Sequence, residues 1–489
     1  MDTAVGIGSG SCPDGHAAIF RGTPVMTVIK PFAVRLLASL LVTTLLMTGT
    51  FEPAEARPLP AQHTTSAAQS GARSAIVEGS VDRSSIDLEA TYEVQADLDW
   101  AARTIDARTA LTVRNTSGGS IDRLELNSLA GALGAMRIQD ARVDGQPVDV
   151  DVIDQTILVP LGGVLPAGES VHVFIRYTAT FRSTSTGRNY FFTRSDGILS
   201  VHRWIPWISR QTPFWSAERG DPFTTAVSPE VRVTLTADRH LIYATTGAPT
   251  GRQGNSQTFV ARDVRDFNLT AAPDFGKTKG RSVDGDTKIV VYSRTLPRDM
   301  MLDYARRSMA AFEDRIGQYP YARFTVTESS GGVAMESPGH IWIPRGTPDW
   351  NLPSLVVHET GHQWFYGVVG NDQVSEPFAD EAMTEFLTRW FLGQFRASRC
   401  DKDRLDRGIA GYDASCFYEV VFVQGATFID KLRKDVGDGR FWSAIRDYWN
   451  ANQFEFGGTF ALLQALRVAA DQAGVQVYSR YSSRFPRYY

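Results

Sequence analysis

The sequence predicts two domains in series, an all-β antiparallel sandwich over residues 81–275 and a mainly α-helical domain over 276–489. Three observations carry this prediction. From about Ile86 apolar residues alternate with polar ones, the period of strands with one face buried. Gly, Lys and Arg then crowd together over 276–286, as at a boundary, and beyond Arg298 apolar residues recur at helical spacing. A chain of 489 residues, 43% hydrophobic, is large enough to bury two or three cores. Its formal charge of −4 argues against nucleic acid as a partner.

At the N-terminus, Lys30 and Arg35 precede an apolar run over 36–47, and Ala54-Glu55-Ala56 offers a small-x-small cleavage site. Residues 1–56 therefore read as an export segment, with Met26 as an alternative start. The run is too short for a membrane span, so no stable span is expected after cleavage. Residues 57–80, rich in Ala, Ser, Thr and Gln, read as a flexible leader. The address is the cell envelope, periplasm or medium.

In the sandwich, Tyr92, Val94, Ala96, Leu98 and Trp100 share one face of a strand, and Ile105, Ala107, Thr109, Leu111 and Val113 share a face of the next. Asn115-Thr116-Ser117-Gly118-Gly119 turns the chain. Alternation at Val171-Val173-Ile175-Tyr177 and Val231-Val233-Leu235 adds further strands, separated by Gly, Pro and Asp. In the second domain, Ile289-Val290-Val291-Tyr292 reads as a strand. Helices are expected over 298–316, stopped by Gly317, over 352–369, over 377–392, ending at Gly393, and over 420–436, 440–451 and 459–473. Cys400 and Cys416, the two cysteines beyond the cleavage site, lie sixteen apart and read as a disulfide in an oxidising compartment.

One motif carries chemistry. His358-Glu359-Thr360-Gly361-His362 lies on a predicted helix, and Glu381 follows after eighteen intervening residues. Imidazoles four positions apart share a helical face and can hold one metal ion. With a carboxylate from the next helix they make the His, His, Glu set of a catalytic zinc site, one position left open. Glu359, beside a ligand but not itself one, is placed as general base. The bland alternative makes both histidines ordinary residues of an amphipathic helix. With 8 His in the chain, a chance His-Glu-x-x-His arises only about 0.01 times. A closed structural zinc would recruit cysteines, and none lies nearby. Glu385, one turn after Glu381, reads either as orienting a histidine through its free nitrogen or as an exposed partner of Arg389. Asp380 reads as a supporting or surface acid.

These residues resemble the aminopeptidase N family of zinc metallopeptidases. The eighteen-residue gap is one mark of that family. Asn371-Asp372-Gln373 and Glu376-Pro377-Phe378-Ala379-Asp380-Glu381-Ala382 look like its stretch around the third ligand, with Phe378, Ala379 and Ala382 as departures. Val333-Ala334-Met335-Glu336-Ser337-Pro338 resembles its Gly-Ala-Met-Glu-Asn segment. The resemblance runs from about Ile86 to Ala473. It implies a thermolysin-like second domain, one zinc ion as cofactor and peptide or protein N-termini as substrate. Glu336 would hold the substrate's α-amino group, against the alternative of an ordinary loop acid.

Two features depart from the family. A tyrosine that stabilises the oxyanion stands just before a Lys-Gly pair, and here Phe422 precedes Gln424-Gly425. Tyr418, one turn earlier, and His340 are the substitutes on offer. The second amine anchor from the sandwich finds no match, and the tryptophans of the 204–211 stretch read as core packing. With about 60 residues after Gly425, a more open site is expected. The first reading is thus an exported zinc aminopeptidase. Its rivals are a zinc endopeptidase or non-peptide hydrolase, and a secreted binding protein with an idle zinc site.

Overall fold

The computed structural model describes residues 74–210 and 224–489. The expected export segment, most of the leader and Gln211 lie outside these residues. At the leader's end, Val77 pairs with Val164 through two backbone hydrogen bonds.

Alternation in the sequence becomes alternation in burial. Every second residue of Glu89–Asp99 is buried, and this strand pairs residue for residue with Thr104–Arg114, setting Tyr92 opposite Leu111 and Ala96 opposite Ala107. Among the described residues, these two strands are central in an eight-stranded sheet. One of its pairings departs from the antiparallel expectation, because Glu89–Asp99 runs parallel to Val231–Ala237. A four-stranded sheet containing Ile121–Asn127 and Thr156–Leu165 supplies more of the same apolar core. Trp204 and Trp207 belong to that core, Trp207 stacked on Tyr92 at 4.2 Å between ring centroids.

The second domain begins with a sheet of which the sequence revealed one strand. Gly276–Arg281, Lys288–Ser293, Arg323–Ser329 and His340–Pro344 lie side by side, the first pair antiparallel and the rest parallel. Helices follow close to the expected bounds at Arg298–Arg315, Asp438–Ala451 and Thr459–Gln472, with an unexpected one at Tyr478–Arg484. The largest correction concerns the metal-motif helix. It spans Leu352–Gly361 and stops at His362, rather than running to 369. Beyond it the amides of Gly367, Val368 and Val369 bond five residues back, and Tyr366 has φ 136°. That conformation, strained for a side chain this bulky, turns the Tyr366 hydroxyl onto Asp266 of the sandwich domain. The segment after the helix is thus tied to the sandwich domain.

Two later helices begin with wide π-helical turns, Phe378–Ala382 leading into Met383–Leu392 and Tyr418–Gln424 into Gly425–Val436. Such turns often mark functional segments. The two helices approach closely where Gly425 faces Ala382. A Cβ at 425 would sit 2.5 Å from the Ala382 Cβ. Cys400 and Cys416 are bonded, closing the loop between these helices.

Candidate metal centre

His358 and His362 project from the last turn of the Leu352–Gly361 helix and its cap, and Glu381 comes from the wide turn of the next helix. Their ligand atoms converge. His358 Nε2 lies 3.1 Å from His362 Nε2 and 3.3 Å from Glu381 Oε2, and His362 Nε2 lies 3.5 Å from the same oxygen. The remaining ring nitrogens are engaged. His358 Nδ1 donates to Glu385 Oε2 at 3.0 Å, and His362 Nδ1 to Asp380 Oδ1 at 2.7 Å. With both Nδ1 atoms donating, the Nε2 lone pairs face each other and the Glu381 carboxylate. Two imidazole nitrogens and one carboxylate oxygen turned inward, each histidine braced by an acid behind it, are the donor set zinc takes. The residues fit the ion.

Charge balance follows the same layout. Burial opposes a charged His358, but Glu381 and Glu385 outweigh it and raise its pKa to about 10. Burial pushes Glu381 upward, and the two histidines, when charged, more than reverse this, lowering it to about 2. Glu359 is different. Burial raises its carboxyl to about 7 against the pull of the two histidines, and its buried Oε2 has no partner. An acid near neutrality with an unsatisfied oxygen beside the ligand set is suited to accept a proton and give it back.

Glu385 contacts both of the residues read as its partners, since its other oxygen pairs with Arg389 at 2.6 Å. Nor is the pair solvated, since Glu385 is 5% and Arg389 7% exposed. Asp380 is buried, with its Oδ1 2.7 Å from His362 Nδ1. Glu336 is 5% exposed, and its Oε1 accepts from Gln373 Nε2 at 3.0 Å. Gln373 Nε2 also donates to Asp380 Oδ2 at 2.5 Å, so one amide links the Glu336 carboxylate to the brace of His362. The Met-Glu segment is fixed to the metal helix by Gln363, whose side chain accepts from the Gly339 amide at 2.8 Å and donates to the Ser337 carbonyl at 3.0 Å. No local pattern gives Gln363 or Gln373 a role, although one follows His362 and the other ends the Asn371-Asp372-Gln373 stretch.

A cavity of about 400 Å³ opens beside these groups. Glu336, His358, Glu359, His362, Glu381 and Phe422 line it together. Phe422 lies over His358 with its ring nearly parallel, 5.7 Å between centroids. Tyr418 also faces the cavity, but its hydroxyl donates to Glu385 Oε1 at 3.2 Å and accepts from Arg389 at 3.4 Å. His340 is excluded as a donor. It is fully buried in a strand, 3.0 Å from the Thr327 hydroxyl, and does not line the cavity.

No family model matches the chain, and no curated protein matches it. Among solved structures, the M1 zinc metallopeptidase from Deinococcus radiodurans is similar, with a TM-score of 0.62 at 19% identity over 84% of this chain and 96% of that one. A mutant of that protein bound to a Tyr-Ser-Ala substrate gives 0.61 at 19% identity with the same coverage. A two-domain M1 zinc metallopeptidase mutant bound to L-arginine gives 0.61 at 19% identity, over 82% of this chain and 95% of that one. Sandwich, helical domain and the order between them agree across nearly the whole of each partner, so the fold of this chain is that of the two-domain M1 zinc metallopeptidases.

Proposed function

We propose that this chain is an exported zinc aminopeptidase that removes single residues from peptide N-termini. The observation that carries the reading is Glu336, an acid of the metal cavity that is neither in the ligand set nor the base. Glu336 brings a carboxylate oxygen within 4.8 Å of a His362 ring nitrogen. A substrate ammonium held there would set the first peptide carbonyl against the metal centre, and an internal peptide segment has no such cation to offer. The similar structures bound to a tripeptide substrate and to an amino acid support this assignment.

His358, His362 and Glu381 would hold one zinc ion, which supplies Lewis acidity to the carbonyl and to the attacking water when bound. Glu359 takes the proton of that water and returns it to the leaving amine, a task matched by its pKa near 7. Glu385 and Asp380 keep both imidazoles in the metal-binding tautomer. Tyr418 lines the cavity, and it becomes an oxyanion donor only by leaving Glu385. Export is supported by the apolar run over 36–47 and by the Cys400–Cys416 bond. Among the described residues no helix is long and apolar enough to cross a membrane.

Glu359→Ala is expected to reduce hydrolysis of aminoacyl-anilides by about 10²–10⁴-fold while zinc stays bound. Acetylating the substrate's N-terminus is expected to abolish turnover by the unmodified enzyme. Undiminished turnover in the variant removes the proposed base, and cleavage of the blocked substrate moves the reading to an endopeptidase. Phe422 over His358, with Tyr418 tied to Glu385, favours a second reading in which the zinc site is idle and the protein binds rather than cuts. A peptide-library digest without N-terminal trimming would select it.

A further inference from the structure

A second cavity, of about 420 Å³, lies along the helical stretch that continues past Phe422, and none of its lining residues lines the metal cavity. Five cationic side chains line it, Arg396, Lys402, Lys431, Arg480 and Arg484, and no carboxylate does. Three of the five have acids beyond the wall: Arg396 meets Glu419 at 2.7 Å, and Asp435 meets Arg480 at 2.7 Å and Lys431 at 3.6 Å. Arg484 stands apart from these. It is 7% exposed, its Nη2 donates to the neutral Gln424 side chain at 2.9 Å, and its buried Nε has no partner. A buried Nη1 of Arg480 is likewise unpartnered. Burial alone lowers the Arg484 pKa to about 10, with Tyr412 and Asp403 too weak to restore it.

Burying a guanidinium with no acid against it is costly, and such a group is stabilised when an anion joins it. Arginine donors in a fixed fork match the oxygens of carboxylates and phosphates, and lysines at the mouth add attraction at longer range. The walls also offer an apolar side through Phe428 and the disulfide-bonded Cys400. We infer that this cavity is a binding site for a small oxyanion, the phosphate or carboxylate group of a soluble metabolite, seated on Arg484 and Arg480 with Lys402 and Lys431 at its entrance. The disulfide holds the loop that forms one wall, since Gln424 donates to the carbonyls of Cys400 and Asp401 at 3.2 and 2.8 Å. The site stands whether or not the peptidase reading holds.

The test is calorimetric titration of the zinc-loaded protein with inorganic phosphate and, separately, with acetate, at ionic strength held constant with chloride. Saturable binding of at least one anion is expected, weakened about tenfold or more in Arg484→Gln and in the Lys402→Glu/Lys431→Glu double variant. Both lysines are exposed, so the double variant decides the matter if Arg484→Gln does not fold. Phosphate binding alone identifies a phosphate ester as the ligand class, and acetate binding alone a carboxylate. Anions bound at the metal would keep their affinity in both variants, so unchanged binding there overturns the site. Absence of saturable binding of either anion overturns it as well.

Discussion

The two walls of the metal cavity are built to different standards. On the wall that carries the ligands, both histidines are braced, His358 by Glu385 and His362 by Asp380, and each brace is held in turn, Glu385 by Arg389 and Asp380 by Gln373. The facing wall, from Tyr418 to Phe422, presents a phenyl ring over His358 and a phenol whose hydroxyl is turned to the opposite wall. Holding a metal needs donors fixed to within fractions of an ångström, which chains of buried hydrogen bonds supply. Stabilising the charge that develops on a carbonyl oxygen needs a donor aimed at empty space, and the second wall offers none at rest. On the proposed function, metal binding and turnover would therefore be separable.

The widest separation is expected from His362→Ala, which removes a ligand from the braced wall. Stoichiometric zinc binding should be lost, measured by metal analysis after dialysis, and activity with it. Retention of full zinc content would show that the metal sits elsewhere. Phe422→Tyr restores a phenol to the bare wall. One oxyanion donor is worth about 10²–10³-fold in rate, so kcat should rise towards that range with zinc affinity unchanged. If kcat stays flat, while Tyr418→Phe lowers it, the donor is Tyr418 and the contrast between the walls is smaller than their resting geometry indicates. Glu385→Gln tests the bracing itself, with an expected loss of about 10–100-fold in zinc affinity in a chelator competition. An unaltered affinity would mean that the brace is packing alone.

The smallest effect concerns stability away from the cavity. Burial, with Arg323 and His202 adding like charge, lowers the His340 pKa to about 3. The unfolded chain, with a pKa of about 6.5, binds the proton that the folded chain refuses. The contribution of neutral His340 is thus fully present above pH ~6.5 and is lost as pH falls towards 3, by at most about 1.4 kcal/mol per pH unit. Denaturation of His340→Asn over pH 4–7 should show a shallower loss than the parent. Parallel curves would assign the acid sensitivity to other groups.

What could be read in the sequence divides along similar physical lines. His358, Glu359, His362 and Glu381 were legible because the helical period and the ligand set admit few spacings. Alternation exposed the sandwich strands for the same reason, and the sixteen-residue cysteine interval exposed the disulfide. The bracing amides were not legible. Gln363 and Gln373 act through partners distant in sequence, and a glutamine carries no local signal of what it will meet. The early end of the metal helix carried no such signal either, and Tyr366 beyond it meets Asp266, a hundred residues away. Three strands of the second sheet escaped because short buried strands such as His340–Pro344 lack the alternation that marks half-buried ones. The parallel pairing of Glu89–Asp99 with Val231–Ala237 is likewise a property of topology, invisible to either strand alone.

The meeting of Gly425 with Ala382 has a consequence for how this protein can change. Phe422 lies less than one turn before Gly425, and Glu381 directly precedes Ala382, so the gap between those two helices acts as a caliper on the cleft. A single added methyl at the point of contact must push the two helices apart, because it would meet the Ala382 Cβ at 2.5 Å. Cleft width can therefore drift through mutations at a packing contact outside the cavity lining, leaving the ligand set intact.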